Sequence, residues 1–213
     1  TTCCVALTLL SCGAEPERDD VAVVSPADLQ AHGDEFRQRV ETVADGVHVA
    51  IGYALANSIM IEGTDGVIIV DTTESLESAR AIKAEFDKLT QKPVKAIIYT
   101  HNHADHIFGG PAFAGDDAPD VYSHALTSEK IEKVIGLLRP IIRKRSYRMF
   151  GLHLDETART NAGIGPGLAQ QKGSTVGLLR PTHTFDDRLD VTIAGITLQL
   201  MHAPGETEDQ LLV

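Results

Sequence analysis

Hydrophobic and polar positions along this chain repeat with two different periods, and the alternation between them predicts the elements. Residues 40–44 and 47–53 read as short strands on either side of an Asp45-Gly46 turn, a hairpin signal. Residues 57–62 form a further apolar stretch, closed by the Thr64-Asp65-Gly66 turn. Val67, Ile68, Ile69 and Val70 make an unbroken β-branched run, as expected of a strand covered on both faces. Residues 75–89 switch to helical spacing, with Leu76, Ala79, Ile82, Phe86 and Leu89 on one face. Ser75 precedes them as an N-cap, with Ser78 at the third helical position. Residues 94–99 are a second buried strand. Strand, helix and strand together form a βαβ unit, and ligands in such sheets sit at the carboxyl ends of the strands.

Downstream, residues 120–124 read as a short strand. Residues 127–147 are helical by period, with Ile131, Val134, Ile135, Leu138, Ile141 and Ile142 as an apolar stripe expected in the core. Pro140 should kink or divide that helix. Residues 160–177 hold five glycines and one proline without periodicity, and so form a loop. Strand alternation returns over 189–193 and 196–200 around Ala194-Gly195, and Leu211 opens another buried strand. The fold class is therefore α/β (α+β), with no internal repeats. The chain starts on Thr1 and stops at Val213 inside a strand pattern, which reads as a piece of a longer gene product.

Composition narrows the function. With 213 residues, 43% of them hydrophobic and 23% charged, the chain is globular rather than disordered or multi-span. Its formal net charge of −11 argues against a nucleic-acid partner or an anionic membrane. All three cysteines, Cys3, Cys4 and Cys12, lie at the start. No disulfide framework or cysteine ligand is therefore expected in the body. The apolar run 3–12 is too short to span a bilayer and fits the core of a signal peptide. Leu9-Leu10-Ser11-Cys12 resembles a bacterial lipobox, in which the cysteine is lipidated. The expected organisation is a signal peptide or lipobox remnant over 1–12, a polar tether with a short helix over 13–35, and the folded domain over 36–213. The chain is then exported, as a periplasmic or membrane-anchored lipoprotein.

The chemistry is concentrated just past the second buried strand, in Thr100-His101-Asn102-His103-Ala104-Asp105-His106. Histidine is the commonest metal-ligating side chain, and a carboxylate adds charge for a divalent ion. In an irregular turn, His101 and His103 can converge on one ion, and Asp105 and His106 on a second. Two ions a few ångströms apart can clamp and activate a water.

His-x-His-x-Asp-His after a strand resembles the metallo-β-lactamase superfamily, an αββα sandwich of hydrolases. The strand ending in Asp71 follows the same plan. In the final segment, Gly205-Glu206-Thr207 stands where many members have Gly-His-Thr. Glutamate there, the 57–63 and 66–71 segments and the Gly163-Ile164-Gly165-Pro166-Gly167-Leu168 loop resemble the alkyl sulfatase branch. The resemblance covers roughly residues 36–213. It implies two zinc ions, one held by His101, His103 and Glu206 and the other by Asp105 and His106, with a further carboxylate and histidine from beyond Val213. The sandwich and the second metal site would thus be incomplete within these residues.

The resemblance further implies a sulfuric ester hydrolase that cleaves an anionic alkyl sulfate with a metal-activated water oriented by Asp105. Glu206 would add negative charge at the metal and tune its Lewis acidity. Asp71, at a strand end beside the metal loop, would support a ligand histidine from behind. Cleavage of a β-lactam, lactone or thioester, or metal binding without turnover, are the alternatives. A homodimer of the complete protein is a further expectation. His202, His124 and His183 lie at strand ends and read as packed or surface residues rather than ligands. Arg139, Arg143, Lys144, Arg145 and Arg148 form a cationic run that either steers an anionic ester or is a solvated helix face.

Overall fold

The computed structural model describes residues 25–155, 158–169 and 173–213. The apolar run 3–12 with its lipobox, and the tether up to residue 24, lie outside the described residues. No described helix is long and apolar enough to cross a membrane. The first element, α1 (Pro26–Asp34), is nucleated by a reciprocal cap: the Asp28 amide donates to Ser25 Oγ, and the Ser25 amide to the Asp28 carboxylate.

The main sheet has seven strands in sequential order: β1 (Arg39–Ala44), β2 (Val47–Ile51), β3 (Ser58–Glu62), β4 (Val67–Val70), β5 (Val94–Ile98), β6 (Asp120–His124) and β7 (His183–Phe185). β1 to β4 pair antiparallel, and β4 to β7 parallel. The expected βαβ unit is β4, α2 (Leu76–Phe86) and β5. Ser75 caps α2, its hydroxyl accepting from the Ser78 amide at 3.1 Å. A separate three-stranded antiparallel sheet holds β8 (Arg188–Ile193), β9 (Ile196–His202) and β10 (Leu211–Leu212).

The apolar run at 67–70 is buried on both sides because two different layers cover it. Successive side chains of a strand point to opposite faces. Val67 and Ile69 pack with Ala79, Ile82 and Phe86 of α2, whereas Ile68 and Val70 pack with Ile193, Leu200 and Leu211 of the small sheet. Helix layer, main sheet and small sheet are three of the four layers of an αββα sandwich.

Two parts of the chain depart from the periodicity. The metal-motif segment contains two one-turn helices, α3 (Ala104–Ile107) and α4 (Gly110–Ala114), too short for any periodic signal. The stretch 127–147 is not one helix. It comprises α5 (Leu126–Glu132), a π-helical turn (Lys133–Leu137) and α6 (Arg139–Met149), with Pro140 in the first turn of α6, where a proline costs no hydrogen bond. The apolar stripe serves the core only at its start. Ile131 is buried and Ile135 packs against the core, but Leu137 and Ile141 are 76% and 59% exposed, so the expectation of core packing fails from Leu137 onwards. The five cationic residues of α6 are all exposed.

Ile69→Ala should cost about 2–5 kcal/mol of folding stability, because Ile69 is 1% exposed beneath α2. Val43→Ala, at an exposed position on β1, should stay within about 0.5 kcal/mol. Urea denaturation of both variants checks this, and equal midpoints would contradict the burial of Ile69 beneath α2.

Candidate metal centre

The site is built on a corner where β4 ends and the chain turns towards α2. Residues 71–75, Asp-Thr-Thr-Glu-Ser, are all buried. Asp71 and Thr73 hold left-handed backbone angles, with φ of 59° and 67°. Aspartate tolerates that region. A β-branched threonine does so only under strain, on the order of 1–3 kcal/mol, so the surroundings must fix the corner.

Hydrogen bonds to the neighbouring metal-motif loop do so. The Thr100 amide and hydroxyl donate to the two oxygens of Asp71 at 2.8 and 2.7 Å. The Thr72 amide donates to the His106 carbonyl at 2.7 Å, and the Phe108 amide to the Thr73 carbonyl at 2.9 Å. Gly109 passes so close that a Cβ there would lie 1.9 Å from the Thr72 carbonyl oxygen, which explains a glycine at that position.

His101 lies three residues past the end of β5 and is almost wholly buried; His103 is the residue before α3 and is half-exposed. The turn after β9 brings Glu206 to them. His103 Nδ1 lies 3.1 Å from Glu206 Oε1, and His101 Nε2 lies 3.9 Å from Glu206 Oε2. One donor atom from each of the three residues falls within 4.8 Å of the others, the geometry of a metal-binding group. The His101 Nε2 atom is buried with no hydrogen-bond partner among the described residues. A buried unpaired nitrogen is costly, and coordination would satisfy it. Burial, followed by the proximity of His106, lowers the His101 pKa and favours the neutral imidazole, the form that ligates.

Two fastenings set the position of Glu206. Its amide donates to Gln210 Oε1 at 2.7 Å, and Asn102 Nδ2 donates to Asp209 Oδ1 at 2.5 Å. Asn102 and Asp209 are buried, and the Leu211 amide also donates to the Thr100 carbonyl. The Asn102–Asp209 bond ties the Glu206 turn to the histidine loop. The pair is silent in the sequence, because the two residues are remote in the chain and only the packing of the small sheet on the main sheet brings them together.

Asp105 and His106 lie on α3, with Oδ2 and Nε2 3.4 Å apart. No third donor joins them in a metal-binding group among the described residues. Asp71 stands behind His106, its Oδ2 2.7 Å from Nδ1, the position expected for support of a ligand histidine. Burial acts to lower the His106 pKa, but the Asp71 and Asp105 carboxylates outweigh it and raise it to about 10. Burial likewise opposes ionisation of Asp105, but the hydrogen bond from His106, its charge, a backbone hydrogen bond and the nearby His103 together outweigh it, so its pKa falls.

The other three histidines at strand ends lie elsewhere. His124 and His202 stack on each other at 3.9 Å. His202 Nε2 bonds the Glu208 carbonyl, and the Leu126 amide donates to His124 Nδ1. His183 stacks on Tyr122. None of the three enters the metal-binding group.

Comparison with known proteins identifies the family. The metallo-beta-lactamase superfamily profile matches residues 51–213. The chain belongs to that superfamily. It is 42% identical over 161 residues to a linear primary-alkylsulfatase of Pseudomonas sp. (strain ATCC 19151), covering 72% of this chain and 30% of that protein. It is 30% identical over 184 residues to an alkyl/aryl-sulfatase of Saccharomyces cerevisiae, covering 80% and 28%. The solved structure of the inverting sec-alkylsulfatase Pisa1 from Pseudomonas sp. superposes with a TM-score of 0.78 at 21% identity, covering 92% of this chain and 32% of that one. The chain thus spans about three tenths of the length of these relatives.

A pH dependence follows for the metal-free protein. His106 is held protonated by Asp71 and Asp105, so its contribution to stability is complete below its ordinary pKa of about 6.5. That contribution is lost as pH rises towards about 10. Denaturation midpoints measured in chelator should therefore fall across this range, and Asp71→Asn should flatten the decline. Parallel curves for the two proteins would contradict the pairing.

Proposed function

We propose that this chain carries the metal centre of a zinc-dependent alkyl sulfatase, with an anionic alkyl sulfate ester as substrate. The observation that carries the reading is the convergence of His101, His103 and Glu206 in a chain with 42% identity to a linear primary-alkylsulfatase. Two imidazoles and a carboxylate are a donor set suited to zinc. Zinc, once bound, supplies Lewis acidity and makes a coordinated water more acidic.

The chain's own residues have separable tasks. His101, His103 and Glu206 hold one ion. Asp105 and His106 hold a second, with ligands from outside these residues, as the resemblance to the alkyl sulfatase branch implies. Asp105, ionised at neutral pH, accepts a hydrogen bond from water and orients it towards the ester. Asp71 fixes the ring of His106 and leaves its Nε2 facing the site. The negative charge of Glu206 moderates the positive charge presented to the sulfate. Export, a lipid anchor on Cys12 and a homodimer of the complete protein belong to the same proposal. The apolar run 3–12 and the Leu9-Leu10-Ser11-Cys12 sequence support the first two.

The test uses the full-length gene product. It should bind two equivalents of zinc and release sulfate from dodecyl sulfate, with activity lost to chelator and restored by zinc. Glu206→Ala should weaken zinc binding by more than the roughly 10–100-fold that loss of a supporting partner costs. Two zinc ions without sulfate release would refute the substrate and favour a β-lactam, lactone or thioester. Absence of zinc would refute the mechanism.

A further inference from the structure

Three residues after Asp71, the same corner carries a second carboxylate with a different reach. Glu74 is fully buried. Its Oε1 accepts the Leu55 amide at 3.1 Å and the Ala169 amide at 2.5 Å. Those amides belong to the bend between β2 and β3 and to the end of the glycine-rich loop. Neither segment is part of a regular element, so each depends on such contacts for its place.

The two segments face each other. Gly165 passes so close to Leu55 that a Cβ would lie 2.7 Å from the Leu55 carbonyl oxygen. Between them lies a cavity of about 360 Å³, lined by the apolar Ile51, Leu55, Ile164 and Pro166 and by the polar Asn57, Glu35 and Arg39. Asn57 adjoins Ser58, whose hydroxyl donates to the Asp71 carbonyl at 2.6 Å. The cavity wall therefore runs directly into the corner that carries the metal-motif loop.

We propose that Glu74 is a positioning residue, whose one carboxylate oxygen ties both walls of this cavity to the corner beside the metal-motif loop and fixes their separation for the substrate. The substrate clause rests on the alkyl sulfatase reading. The clamp itself does not. Both bonds require an acceptor oxygen at this point and not a negative charge, so glutamine can replace glutamate, whereas leucine, of similar size, cannot.

Hydrogen exchange of the native protein reads the clamp without any variant. The Leu55 and Ala169 amides should be protected although they lie in irregular segments. In Glu74→Gln they should stay protected, and in Glu74→Leu they should exchange at least about tenfold faster, the effect of losing a hydrogen bond. In full-length protein assayed with dodecyl sulfate, Glu74→Leu should raise KM about tenfold while kcat and zinc content stay near those of the parent. That pattern marks lost substrate binding, and Glu74→Gln should restore KM. Unprotected Leu55 and Ala169 amides in the native protein would overturn the clamp, as would a leucine variant with unchanged KM in an active enzyme. Protected amides that Glu74→Leu releases, in a protein without sulfatase activity, would support the clamp and refute the alkyl sulfatase reading alone.

Discussion

A single buried carboxylate organises this molecule. Asp71 directly follows the central strand of the main sheet, and its two oxygens collect the Thr100 amide, the Thr100 hydroxyl and the His106 ring. Those donors lie at the start and near the end of the metal-motif loop, so one side chain fixes both parts of it. A carboxylate accepting several hydrogen bonds in a poorly solvated place is held firmly. The left-handed backbone at Asp71 and Thr73 is tolerated because these bonds, together with those from the Thr72 amide and to the Thr73 carbonyl, leave the corner little freedom.

The layers supply the rigidity on which that corner depends. β4 and β5 are covered by α2 on one face and by the small sheet on the other, so their carboxyl ends are fixed relative to both layers. The histidine loop leaves the end of β5, and the Glu206 turn leaves the end of β9. Because β9 belongs to the second sheet, the three donors of the metal-binding group come from two layers. The Asn102–Asp209 bond then locks the layers together where the donors meet. Packing of Ile68 and Val70 against Leu200 and Leu211 is in this sense part of how the site is assembled.

Much of this was legible in the sequence because it is local. The β-branched run at 67–70, the Ser75 cap and the density of histidine between 101 and 106 are each confined to a few residues, and Asp71 could be placed because it directly follows a strand. Glu206 required the family resemblance, since one glutamate in an acidic chain carries no local signal. Glu74 and the Asn102–Asp209 pair were not legible, because their partners are distant in sequence and meet only through the topology. The helical stripe beyond Ile135 misled for the opposite reason. Its period is real, but α6 buries none of its residues, and periodicity records an amphipathic surface without saying what covers it.

The central claim is that His101, His103 and Glu206 bind one ion together. X-ray absorption at the zinc edge, on chain loaded with one equivalent, tests it most directly. The account predicts scattering from two imidazole rings and a carboxylate oxygen, with nitrogen and oxygen distances of about 2.0–2.2 Å, and loss of the oxygen component's carboxylate character in Glu206→Ala. A spectrum dominated by water oxygens, or one with imidazole scattering that Glu206→Ala leaves unchanged, would contradict it.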